Sequence, residues 1–253
     1  MHMSHKRVAN TNFRADPVIG AICYACQSVE PPLETVTLLC KAGPIEGKYD
    51  RINHTAEASI PHDFRVHKQL VGARAVLKQT YLAKTSIVTS EFPVASIVKG
   101  MSFVLIEVAT VKQHLELLGA DQQVDCASVR LDEGWESSFI GTYFYTDIST
   151  PERNSTRLRT RMLEPSVGED AATGSAASTL GCFLALKDGM AGKTYHYTIE
   201  QGVEIGRASE IVVSVTLDES GTDLSEVTLA GKAVLVTQGT MILPTLVNIE
   251  GQG

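Results

Sequence analysis

The sequence predicts an α+β fold with mainly antiparallel sheets, arranged as two pseudo-symmetric lobes. Short strand-like runs outnumber helical ones and are separated by hairpin-length connections. Several runs alternate strictly, as in Ile211, Val213, Val215 and Leu217. One order of features also recurs about 150 residues apart: an acid, a glycine four positions on, a helix, a strand, Gly-x-x-x-Gly, and another strand.

The first helix opens at Asp16-Pro17-Val18, since Asp caps well and Pro loses no hydrogen bond in the first turn. Val18, Ala21, Ile22, Ala25 and Cys26 recur at helical spacing, and Pro31-Pro32 end the helix. An antiparallel meander follows over Glu34 to Cys40, Ile45 to Arg51 and Thr55 to Ile60, broken at Gly43-Pro44 and Asn53-His54. Gly100 to Val108 reads as a buried strand, Val111 to Leu118 as a helix stopped by Gly119, and Phe139 to Asp147 and Arg157 to Leu163 as strands. The second strong helix starts at Thr173-Gly174-Ser175 and stops at Gly189. Strands close the chain over Thr194 to Glu200, Glu210 to Leu217, Ser225 to Leu229 and Ala233 to Leu243.

Of 253 residues, 43% are hydrophobic and 20% charged, which excludes a disordered or collagen-like chain. The net charge is -7 with no run of Lys and Arg, which argues against a nucleic-acid partner. The longest apolar-leaning stretch, Met101 to Val111, contains Glu107 and is far short of the ~18 residues of a membrane span. Five cysteines and no apolar core behind Met1 to Arg7 point to reduced thiols in the cytoplasm. Cys23 and Cys26 read as buried helix positions, because a zinc site needs more ligands, and His54, His62 and His67 lack partners at ligand spacing. Trp135 is expected to pack on the Phe139 to Tyr145 strand. Arg157, Arg159 and Arg161 share one strand face and read as a solvated or salt-bridged surface.

In the repeat, Asp16 precedes Gly20 as Asp170 precedes Gly174, and Gly43/Gly47 are followed by Lys48 as Gly202/Gly206 are followed by Arg207. An Arg-containing strand candidate precedes each acid, over Arg7 to Arg14 and Arg157 to Leu163. A helix N-terminus presents unpaired N–H groups and positive potential, so two of them facing one cleft would grip a carboxylate beside an Asp base.

Gly168-Glu-Asp170-Ala-Ala-Thr173-Gly174-Ser175-Ala-Ala177 resembles the phenazine-biosynthesis (PhzF-like) isomerases, which have the diaminopimelate epimerase fold. Those proteins carry Glu-Asp-Pro-Ala-Thr-Gly-Ser-Ala at this point and a later Gln-Gly-x-x-x-Gly-Arg-x-Ser, matched by Gln201 to Ser209. Gly100-Met-Ser-Phe103, Ala230-Gly-Lys-Ala233 and Asp16-Pro-Val-Ile-Gly20 fit as well. The resemblance implies two lobes, each a curved sheet wrapped round a central helix, over residues 1–92 and 93–253, with the C-terminal strand returning to the first lobe. It implies cofactor-independent proton transfer on a small carboxylate-bearing metabolite, and no metal. By motif position Asp170 and Ser175 match the family's Asp and Ser, and Asp16 stands where the family has His. Thr173, Gly174 and Gly20 would hold the substrate. The family's catalytic Glu lies ahead of the first helix, and no Glu precedes Asp16 here, so a shortened first lobe is expected. An incomplete lobe leaves an open sheet edge, which predicts a homodimer. The alternative reading is a small-acid-binding or scaffold protein that kept the cleft and lost the base.

Overall fold

In the computed structural model the described residues are 15–40, 43–77, 80, 82, 88–108, 115–116, 118, 124–135, 139–150, 155–164, 166 and 168–239. Their elements are α1 (Ala15–Gln27), β1 (Thr35–Cys40), β2 (Gly43–Asp50), β3 (Thr55–Ser59), β4 (Arg65–Val66), β5 (Val71–Gly72), α2 (Ala73–Val76), β6 (Glu91–Phe92), β7 (Val94–Val98), β8 (Met101–Glu107), β9 (Ile140–Asp147), β10 (Thr156–Glu164), β11 (Gly168–Asp170), α3 (Gly174–Asp188), β12 (Thr194–Gln201), β13 (Ser209–Leu217) and β14 (Leu224–Gly231). The expected helix over Val111 to Leu118 and the strand over Arg7 to Arg14 lie mostly or wholly outside the described residues.

The molecule is sheet-dominated α+β. Among the described residues, twelve strands are hydrogen-bonded in the order β1-β2-β3-β14-β13-β12-β10-β9-β8-β7-β4, with β11 paired to β10. Pairing is antiparallel except at β10–β12 and β8–β9. Each of the two principal helices is followed by a three-stranded meander, α1 by β1-β2-β3 and α3 by β12-β13-β14. The third strands of the two meanders pair antiparallel, Ala58 opposite Leu229 and Ala56 opposite Gly231. The order is therefore palindromic about the β3–β14 seam, and hydrogen bonding runs through that seam without a break.

Helix α1 buries Ile19, Ile22, Cys23 and Cys26, an i, i+3, i+4, i+7 stripe, against β1, β2, β3 and β14. The stripe is rotated from the expected one: Val18 and Ala21 pack only at its margin, and Ile19 and Cys23 take the centre. A side chain at Gly47 on β2 would stand 2.5 Å from Ile22 Cδ1, so this strand glycine lets α1 approach closely. In α3 every residue from Gly174 to Cys182 is buried, and the helix packs on β7, β8, β12, β13 and β14. A helix covered on all sides carries no amphipathic stripe and sits inside a wrapping sheet. Gly189 ends it with φ 64°, and its N–H donates to the Ala185 carbonyl.

The main core joins α1, α3 and one face of the sheet. A second core, with Val71, Val76, Leu77 and Phe92, covers the opposite face of β8–β10 through Val104, Ile106, Phe144 and Leu163. Strand β9 is thus buried on both faces, so the alternation of Phe139 to Asp147 does not reach solvent. Two expectations fail. Residues 232–239 form no strand, and Val234, Leu235 and Val236 are exposed. Gly43 and Gly47 both lie within β2, but Gly202 and Gly206 bound the turn between β12 and β13, so the Gly-x-x-x-Gly match is one of spacing and not of structure.

Candidate active site

Strand β11 is short and runs antiparallel to β10, with Asp170 opposite Met162 and Glu169 opposite Leu163. Alternation sends the two acids to opposite faces. Glu169 accepts from Arg161 Nε at 2.8 Å and Nη2 at 2.5 Å, and Arg161 Nη1 also donates to the carbonyls of Leu115 and Leu118. Both side chains are buried, so Glu169 is consumed by an ion pair that anchors the strand.

Asp170 turns toward α3. Its Oδ2 accepts from Thr173 Oγ1 at 2.8 Å, and its Oδ1 lies 3.5 Å from the Ala172 nitrogen. Thr173 is the N-cap residue, yet its side chain makes no capping bond. The first intrahelical bond runs from Ala177 N to the Thr173 carbonyl, so the N–H groups of Ser175 and Ala176 precede it and have no intrahelical acceptor. Gly174 and Ser175 are buried in that first turn, and the Ser175 carbonyl accepts from Thr179 Oγ1 at 2.7 Å.

Gln201, the last residue of β12 and fully buried, holds this loop in place. Its Nε2 lies 2.9 Å from both the Asp170 carbonyl and Thr173 Oγ1, and its Oε1 accepts from Tyr143 OH at 3.0 Å. Gly202 follows with φ 75°, and a Cβ there would fall 2.6 Å from the Ala171 carbonyl oxygen and 2.5 Å from that of Arg207. The Gln-Gly pair quoted in the sequence therefore clamps the Asp170-to-Ser175 loop. The sequence alone does not disclose this role, since only the fold brings β12 against the loop. Tyr143 carried no sequence signal beyond its place in a strand.

Of the residues expected in the first lobe, Asp16 lies in the first turn of α1 with its side chain outside the described residues. Gly20 is half-buried within α1, and beyond its own helix backbone a Cβ there would meet no atom of the described residues within 4 Å. The Cβ position of Gly231 is 4.0 Å from Ile19 Cγ2. Gly231 pairs with Ile211, and Gln201 with Ser209, so Ile19 and Thr173 lie at the same end of β12–β13–β14. Helices α1 and α3 also touch.

On the outer face, Arg157 and Arg159 each donate to Glu200 at 2.7 Å, and Arg159 Nε donates to Glu204 at 2.9 Å. Burial alone would raise the Glu200 carboxyl, but these bonds hold it below the usual range. The arginine face is thus salt-bridged and, at Arg159 and Arg161, buried. The thiols of Cys23 and Cys26 are buried, and burial raises both. His54 meets Tyr49 OH, His62 the Ile60 carbonyl, and His67 Ser96 Oγ, so the three lie in separate networks. Among the described residues no group of three or more His, Cys, Asp or Glu is placed to hold a metal ion. Trp135 meets His67 edge-on at 5.7 Å, with Lys99 Nζ over its ring. No described helix is long and apolar enough to cross a membrane.

The continuous sheet around a buried helix, with an Asp-bearing loop at that helix's N-terminus, defines the structural class, and comparison with known proteins defines the family. Residues 8–239 match the phenazine biosynthesis-like protein family (PhzC-PhzF), and the chain belongs to it. The PhzF-family phenazine biosynthesis protein of Bacillus anthracis superposes with a TM-score of 0.61 at 17% identity, covering 89% of this chain and 75% of that one. The PhzF-family protein of Enterococcus faecalis gives a TM-score of 0.55 at 14% identity, covering 92% and 74%. The trans-2,3-dihydro-3-hydroxyanthranilate isomerase of Pseudomonas chlororaphis is 39% identical over 89 residues, 34% of this chain and 31% of that enzyme. The match thus spans about a third of the relative's length, and the family includes an isomerase.

Proposed function

We propose that this chain is an isomerase that moves a proton between carbons of a small carboxylate-bearing metabolite, without a cofactor. The observation that carries the reading is the Asp170 carboxylate beside the first turn of a buried helix. The Thr173 hydroxyl holds one carboxylate oxygen, and among the described residues Oδ1 has a long contact to backbone. In this reading Oδ1 takes a proton from an acidic C–H of the substrate. The electron pair of that bond moves into the adjoining unsaturated system, the proton held on Asp170 exchanges with solvent, and Asp170 then delivers a proton to another carbon, so the substrate loses one proton and regains one. The backbone of the first turn, around Thr173 to Ser175, holds the substrate carboxylate or the negative charge that develops. Ser175 and Asp16 assist proton transfer. Gly20 leaves room for substrate, as the open space at its Cβ position supports.

Two pseudo-symmetric lobes, divided near residues 92 and 93, belong to the same proposal and are supported by the palindromic strand order. So do a cleft between the lobes, supported by Ile19 and Thr173 lying at one end of the same strands, a homodimer, and a cytoplasmic location. The name of the relative makes trans-2,3-dihydro-3-hydroxyanthranilate the first acid to test. The purified chain should incorporate deuterium from D2O into this compound while converting it to an isomer. Binding without exchange would replace the isomerase reading with a small-acid-binding protein, and neither binding nor exchange would exclude this substrate class.

A further inference from the structure

The side chains behind the loop form one hydrogen-bonded chain, and its donor directions follow from a single atom. The Asp170 carbonyl can only accept, so the Gln201 atom 2.9 Å away is the amide nitrogen. Oε1 therefore faces Tyr143, whose hydroxyl donates to it at 3.0 Å. The second Nε2 proton goes to Thr173 Oγ1, which occupies that oxygen as an acceptor and sends the Thr173 proton to Asp170 Oδ2. Tyr143 OH also meets Thr160 Oγ1 at 3.0 Å. Every link from Tyr143 onward thus donates toward the carboxylate, and such chains polarise cooperatively. Gln201, Tyr143 and Thr173 are buried, so solvent cannot substitute for a lost member.

We infer that Gln201 and Tyr143 are positioning residues, which fix the Asp170 carboxylate and leave its Oδ1 aimed at substrate. This deepens the isomerase reading and rests on it. It also changes the role of Thr173: its hydroxyl is spent on Asp170, so only its backbone remains for substrate.

The test uses Gln201→Glu and Tyr143→Phe with the same dihydro acid. At neutral pH the Glu carboxylate has no proton for the Asp170 carbonyl or Thr173, and it attracts the Thr173 proton away from Asp170. Turnover number should fall about 10²-fold with KM little changed, since misplacing a reacting group costs on that order. Lowering the pH toward 5 protonates the new carboxyl, restores one donor, and should recover part of the activity in Gln201→Glu but not in Tyr143→Phe. A pH profile parallel to wild type, or wild-type turnover in both variants, overturns the proposal. A second arm does not depend on activity. Hydrogen exchange of the Gln201 side-chain amide, read by NMR, should be slow in wild type and at least about 10-fold faster in Tyr143→Phe, which lacks the buried Oε1 partner. Equal exchange in the two proteins overturns the relay even if the wild type is active. A protected amide in an inactive wild type would instead count against the isomerase reading alone.

Discussion

Gly202 joins conformational need to function at a single residue. Its φ of 75° is open to glycine at little cost, and its missing side chain lets the turn after β12 rest on the Ala171 carbonyl. Gly202→Ala meets both a left-handed backbone and overlap with two carbonyl oxygens. It should cost about 2–4 kcal/mol, read as a lower urea midpoint, and should disturb the Asp170 loop first. An unchanged midpoint would show that the turn relaxes freely. Gly20 is the opposite case, because among the described residues no side chain or strand comes within 4 Å of its Cβ position.

Among elements, the long strands and both principal helices were legible because their patterns are local. The first meander was expected over residues 34–40, 45–51 and 55–60 and is found over 35–40, 43–50 and 55–59. Helix α3 begins and ends where Thr173 and Gly189 indicate. The two-residue strands β4, β5 and β6 were missed, since a two-residue run has no period to read. The Gln201 clamp was missed because it is a long-range contact, and the α1 stripe was misplaced because its neighbours, not its sequence, select the inward face. The Arg65–Val66 strand also shows a link that only tertiary structure creates. The Asp132 N–H donates to His67 Nδ1, Arg65 binds the Asp132 carboxylate, and His67 Nε2 meets Ser96 Oγ. Burial lowers the His67 pKa, Asp132 opposes that shift, and Arg65 adds to it. The unfolded chain then binds the proton more readily, so stability is full above the ordinary value of 6.5 and falls as pH drops below it. Asp132, lowered from 3.8, acts only in more acid solution. The urea midpoint should therefore drop between pH 7 and pH 5 in wild type and drop less in His67→Gln. Equal drops would remove His67 as the cause.

For the whole molecule, the palindromic path from β1 to β12 gives the internal repeat a physical meaning: two helix-plus-meander units share one seam. Among the described residues the path ends in β1 and β4, and Val234 to Val236 stand 67–86% exposed beyond β14. Unpaired strand edges and contiguous apolar surface favour association. Light scattering should give twice the 27.3 kDa chain mass, and replacing Val234 and Val236 with Lys should weaken the dimer. A concentration-independent monomer would contradict the expected homodimer.

The central claim is that Asp170 moves a proton on a bound acid. Its most direct test compares deuterium incorporation from D2O into trans-2,3-dihydro-3-hydroxyanthranilate by wild type and Asp170→Asn. Asn keeps the shape of the side chain and can still accept from Thr173, so the variant should fold normally. Losing a general base costs about 10²–10⁴ in rate, so exchange should be rapid in wild type and nearly absent in the variant. Equal exchange by the two proteins would contradict the account.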